Sequence, residues 1–230
     1  MFARGALLLL ALTLGACSAV PVSVMTPAEP QAESAEAAPV DSVAAAEAIA
    51  AENPYLSSRR SVSGAARQRF ATATAAMAAE DWDTARIDLE WLVENYPKLS
   101  GPYLNLALLH IAEGEPEQAE SRFQAAIEAN ENNLVAYNQY AIFLREQGRF
   151  DAAETIYLEA LAVWSNHAET HRNLGVLYDL YRGEHDKALQ HYYRYQELTG
   201  NTDRTVAGWI VLLERQFGQV VQRGQQGAGE

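Results

Sequence analysis

A period of 34 residues runs through the middle of this 230-residue chain and limits what it can fold into. Tyr103 and Tyr137 are one period apart, as are Leu106 and Tyr140, Ala107 and Ala141, and Gly114 and Gly148. The same offset relates Ala119 to Ala153, Phe123 to Tyr157 and Ala126 to Ala160. A fixed period of this length marks one supersecondary unit that is copied and stacked. Each copy buries its apolar face only against its neighbours.

The unit reads as two helices. Tyr137, Tyr140, Ala141 and Leu144 recur at i, i+3, i+4, i+7, one face of a first helix. Gly148 ends it, because glycine alone takes a positive φ without strain. Ala153, Ile156, Tyr157, Ala160 and Leu161 form one face of a second helix, and Pro116 opens the equivalent helix one unit earlier. Small residues sit where helices must approach closely, and large ones fill the gaps. Fainter copies flank these two. Trp82, Ala85, Leu89, Leu92 and Pro97 keep the register before them, and His171, Leu174, Gly175 and Tyr178 keep it after them. One residue is inserted after Tyr178, and Gly183, Ala188, Tyr192 and Tyr195 resume one position late. Four helix pairs are expected, at about 66–99, 100–133, 134–167 and 168–200. Thr202 or Asp203 is placed to cap a last helix to about Phe217, with Val206, Trp209, Ile210 and Leu213 covering the end of the array.

From Ala66 to Gly200 the chain resembles the tetratricopeptide repeat (TPR) family. The resemblance is carried by Asn173-Leu174-Gly175 and Tyr178, by Gly148-Arg149-Phe150 with Ala153, Tyr157 and Ala160, and by Pro97. The first unit departs from the pattern, with Glu80 for the usual glycine and Arg69 for the usual aromatic. The expected fold is all-α: a TPR solenoid over 65–200 with a capping helix at 201–217. A Gly/Gln-rich tail, expected to be disordered, follows at 218–230.

The N-terminus reads differently. Arg4 precedes a short apolar run from Ala6 to Leu14, too short to span a bilayer. Leu14-Gly15-Ala16-Cys17 resembles the lipobox of bacterial lipoproteins. The resemblance implies cleavage after residue 16, with a diacylglycerol thioether and an N-acyl chain on Cys17. Cys17 is the only cysteine, so it cannot form an intramolecular disulfide. The plainer alternative is an ordinary signal peptide with a chance cysteine. Ser18 follows, with no aspartate to mark inner-membrane retention, so resemblance points to the periplasmic face of the outer membrane. Residues 17–64, rich in Ala, Glu, Pro and Ser, read as the lipidated cysteine and a flexible linker. A coil of ~40 residues spans roughly 35 Å. Within it, Asn53-Pro54-Tyr55-Leu56 is a candidate for docking onto the first repeat.

Net charge is −13, which argues against nucleic acid and against electrostatic docking on anionic lipid. No phosphate loop or nucleophile elbow is present. His167 and His171 are spaced i, i+4 with Glu169 between them. In the zinc-protease motif the glutamate directly follows the first histidine, and Ala168 stands there instead. His110, His185 and His191 show no ligand cluster in the sequence. No cofactor, metal site or catalytic residue is therefore assigned.

TPR resemblance implies a concave groove walled by the first helices. Its positions fall on Arg67, Phe70, Thr74 and Met77 in the first unit, and on Leu104, Asn105, Leu108 and Ile111 in the second. In the third they are Asn138, Gln139, Ile142 and Arg145, and in the fourth Arg172, Asn173, Val176 and Asp179. Asn105 and Asn173 stand where many TPRs bond a peptide backbone; bracing neighbouring turns is the alternative role. Arg145 and Arg172 could hold a carboxylate. No lysine occupies the wall, unlike the TPRs that clamp a chaperone's C-terminus. The expected function is a non-catalytic, lipid-anchored adaptor for envelope proteins or peptides. Pilus secretin piloting, scaffolding of peptidoglycan hydrolases and outer-membrane protein assembly stay open. The alternatives are a self-associating module and, less favoured, a metal-dependent envelope enzyme using His167 and His171.

Overall fold

Each repeat folds as a helix pair because its two apolar faces meet across a turn of fixed geometry. The computed structural model describes residues 53–57 and 61–227. The leader, Cys17 and most of the linker lie outside the described residues.

A short helix α1 (Pro54–Ser57) precedes the array. The first unit is α2 (Gly64–Ala78) and α3 (Trp82–Asn95), and the second is α4 (Ser100–Ala112) and α5 (Pro116–Ala129). The third is α6 (Leu134–Glu146) and α7 (Phe150–Val163). The fourth is α8 (Ala168–Val176), which runs on as a π-helical segment, Leu177–Arg182, followed by α9 (His185–Leu198). Helix α10 (Arg204–Gly227) closes the array. Among the described residues all regular structure is helical, and no helix is long and apolar enough to cross a membrane.

Side chains set the helix starts. Ser63 accepts from the Ala66 amide, Asp81 from Thr84 and Asn133 from Ala136, and Asp203 accepts from both Thr205 and Val206. Each bond satisfies an amide that the helix leaves unpaired. The stops between paired helices are also repeated. The amides of Asp81, Glu115 and Arg149 each reach back five residues, to the carbonyls of Ala76, His110 and Leu144. In the fourth unit Glu184 reaches back six, to Tyr178. The inserted residue is thus absorbed by widening the helix into a π turn, and the unit that follows keeps its packing.

Phe123, Tyr157 and Tyr192 occupy the same place in successive second helices and are fully buried. Each contributes roughly 1.5–3 kcal/mol by leaving water. One core runs through units two to four into Val206, Ile210 and Leu213 of α10, and a second sits in the first unit with Leu106 and Leu109. Helix α10 therefore closes the open end of the stack, as a terminal repeat element must. It continues past Phe217 to Gly227, where the sequence suggested a disordered tail. Gly218 and Gly224 cost helix stability, and the Gln, Val and Arg residues around them are compatible with helix.

First helices of successive units touch each other: α2 with α4, α4 with α6, and α6 with α8. Among the described residues successive second helices meet more sparsely. The stack therefore curves with its first helices on the inside.

Candidate peptide-binding groove

The inner wall inherits its character from positions that the helix pairs leave uncovered. Phe70, Asn105, Leu108, Gln139, Ile142, Arg145, Arg172, Asn173 and Val176 are all half-buried, each with part of its surface open. Three expected wall residues are buried instead. Met77 belongs to the first-unit core and Leu104 to the main core. Asn138 is buried and accepts a hydrogen bond from the Thr170 hydroxyl at 3.3 Å. These three positions turn toward the neighbouring helix, so they hold the wall together rather than line it. The side chain of Asn105 bends back and donates to the Gly101 carbonyl at 2.9 Å, so it braces its own turn.

The arginines between units and those on the inner wall are held differently. Arg149 pairs with Glu120 at 2.6 Å, Arg86 with Glu113, and Arg182 with Asp151, Glu154 and Glu184. Apart from Arg182–Glu184, which lies within the fourth unit, these pairs stitch one unit to the next. Arg145 and Arg172 on the inner wall have only long contacts, 3.9 Å to Glu146 and 4.0 Å to Glu169. Their guanidinium groups lie near aromatic rings, 5.3 Å from the centre of Tyr181 and 5.7 Å from that of Trp209. Stacking of this kind fixes a guanidinium while leaving its edge able to meet a carboxylate. Periodicity could not show this, because Tyr181 and Trp209 come from a π turn and from the cap.

The histidines are engaged in packing. His167 Nδ1 lies 2.7 Å from the Thr170 hydroxyl. His171 Nε2 donates to the Ser165 carbonyl at 2.9 Å, so its Nδ1 accepts from His191 Nδ1, also at 2.9 Å. Burial, then the neighbouring His171, pushes His167 down to about 4. Burial, then His171 and Lys187, pushes His191 down to about 4. Burial is also the main cause lowering His171. All three imidazoles are neutral near pH 7, and those of His167 and His171 bond to different partners rather than converging on one point. The sequence reading missed a cluster at the α4–α5 turn. His110 Nδ1 lies 2.7 Å from Glu115 and 4.0 Å from Glu113. Ligand atoms of the three lie within 4.8 Å of one another. The spacing His110-x-x-Glu113-x-Glu115 was the available signal. Arg86 already pairs with Glu113, so the cluster is a clamp between units.

Comparison with known proteins agrees with this architecture. The tetratricopeptide repeat family profile matches residues 132–199 and, separately, 101–133. No protein of curated function matches the sequence. Among solved structures, PilF of Pseudomonas aeruginosa is similar at 21% identity and a TM-score of 0.58, over 70% of this chain and 72% of that one. A thermophilic TPR protein of Thermus thermophilus aligns at 21% identity and a TM-score of 0.55, over 75% and 90%. MamA aligns at 18% identity and a TM-score of 0.52, over 71% and 93%. At these identities the likeness is one of fold. The repeats matched in sequence and the helix pairs seen in space are the same units, and the chain carries tetratricopeptide repeats within an all-α solenoid.

Proposed function

We propose that this protein is a non-catalytic adaptor that binds an extended or helical segment of an envelope protein along its inner wall. It is anchored by lipid on Cys17 to the periplasmic face of the outer membrane. The observation that carries the groove reading is the contrast among the arginines. Arg145 and Arg172 are held against aromatic rings with no short ion pair, while those between units are paired. The first helices of units two to four carry Leu108, Ile142 and Val176, half-buried apolar surface of the kind that accepts side chains from a partner. TPR repeats generally mediate protein–protein contacts, and that supports a protein partner. Secretin piloting, hydrolase scaffolding and outer-membrane protein assembly are equally compatible with this wall.

The test is crosslinked capture from membranes, with partners identified by mass. Replacing Arg145 and Asn173 together by alanine is expected to reduce capture about tenfold while helicity stays unchanged, since both residues are half-open. Capture at full strength would move the binding surface away from the inner wall. Self-association is the second reading, favoured by the exposed Val211 and Leu212 on α10 and Tyr193 on α9. A mass in solution that rises with concentration would support it.

A further inference from the structure

The first end of the inner wall differs from the rest at one position. Arg67, Val135 and Glu169 stand at the second place of the first, third and fourth units, and the second unit has Gly101 there. The missing side chain helps leave a cavity of about 310 Å³ between α2 and the start of α4. Phe70, Leu99 and Pro102 give it an apolar lining, and Arg67 and Lys98 stand beside it. A Cβ built on Gly101 would meet the Phe70 ring at 3.4 Å, so any side chain there would begin to fill the space.

Tyr55 of α1 forms another side of the same cavity. Its approach is locally specified. Asn53 accepts a hydrogen bond from the Tyr55 amide at 3.0 Å, and Pro54 opens the short helix with a fixed φ. The chain is clamped again a few residues later. Arg67 donates to the Val62 carbonyl at 3.0 Å, and the Ser63 hydroxyl lies 2.8 Å from that of Tyr96. A segment tied down so close to its site has an effective concentration on the order of mM.

We propose that residues Asn53–Ser57 are a built-in strap along one side of this cavity, which a partner must displace to use the head of the groove. The site suits a Pro-aromatic turn, with Tyr55 forming one side of it and the side-chain-free Gly101 leaving room beside Phe70. This rests on the inner wall being the binding surface, and it adds that one end of it is regulated by the chain's own linker.

The probe is a fluorescent peptide of the sequence Asn-Pro-Tyr-Leu-Ser-Ser, added to the full chain. Tyr55→Ala removes the strap's side of the cavity. This variant is expected to bind the peptide about tenfold more tightly than the wild type, because the tethered copy no longer competes. Adding Gly101→Val, the residue found one unit later, is expected to abolish that gain. Amide exchange in 101–104 is expected to quicken in Tyr55→Ala, with 135–144 unchanged as an internal check on folding. Equal binding by wild type and Tyr55→Ala, or no binding by either, overturns the strap. Partner capture from membranes is scored separately. Intact capture with a failed peptide experiment removes the strap alone, and lost capture in the Arg145/Asn173 variant bears on the groove alone.

Discussion

At the turn that ends each first helix the backbone enters the left-handed region, with φ of 76° at Gly114 and 73° at Gly148. In the first unit the same conformation falls on Glu80, at φ 58°. A side chain there crowds its own carbonyl, costing roughly 1–2 kcal/mol, partly offset because glycine has more unfolded-state entropy to lose. Glu80→Gly is therefore expected to stabilise the protein by about 0.5–1 kcal/mol, read as a higher urea midpoint. Gly175 is constrained by space instead. A Cβ there would lie 2.5 Å from the ring of Tyr192, which is buried against it. Gly175→Ala should push the ring out of place and cost about 1–3 kcal/mol by the same measurement. The 34-residue pattern marked both positions as small. The Tyr192 contact at Gly175 needed coordinates, because a pattern lists which residues recur and not which ring lies across the gap.

Elements respond to solvent differently along the array, and the three histidines with lowered pKa values gather at the fourth unit and its N-cap. His167 and His191 titrate near 4 in the folded chain, against an ordinary 6.5. Below 6.5 the unfolded chain takes up protons that the folded chain refuses. Stability is therefore lost progressively between about 6.5 and 4, and these two groups add no further loss below that. Protonation would also set two N–H groups face to face between His171 and His191, with the Arg194 and Lys187 charges adding to the repulsion. The urea midpoint is expected to fall from pH 7 to pH 5, and to fall less in His191→Asn. An equal fall in both would place the linkage elsewhere. Glu120, whose carboxyl is held below its usual range mainly by Arg149, acts in more acid solution. The inserted residue after Tyr178 was visible in the sequence as a break in register. Its form was not, because a loop and a π turn differ only in which carbonyl the Glu184 amide reaches.

For the whole molecule, the proposed lipid anchor bears on where the array works and the proposed groove on what it holds. Lipid on Cys17 would keep the protein with membranes, so Cys17→Ser is expected to move it into the soluble periplasmic fraction; unchanged fractionation would sink the anchor. The repeat period by itself determined the fold class, the helix boundaries of units two and three, and the residues at the heart of each pair. It could do so because every unit meets a neighbour of the same shape and must present the same face each time. The tertiary structure alone decided which wall positions stay open. Met77, Leu104 and Asn138 share a register with groove residues yet turn inward, since a helix inside a curve is covered by neighbours on two sides. It also decided that Tyr181 and Trp209 meet the arginines and that Tyr55 and Gly101 line one cavity. Those contacts join residues from different units, or from outside the repeats, and no local pattern carries the distance between them.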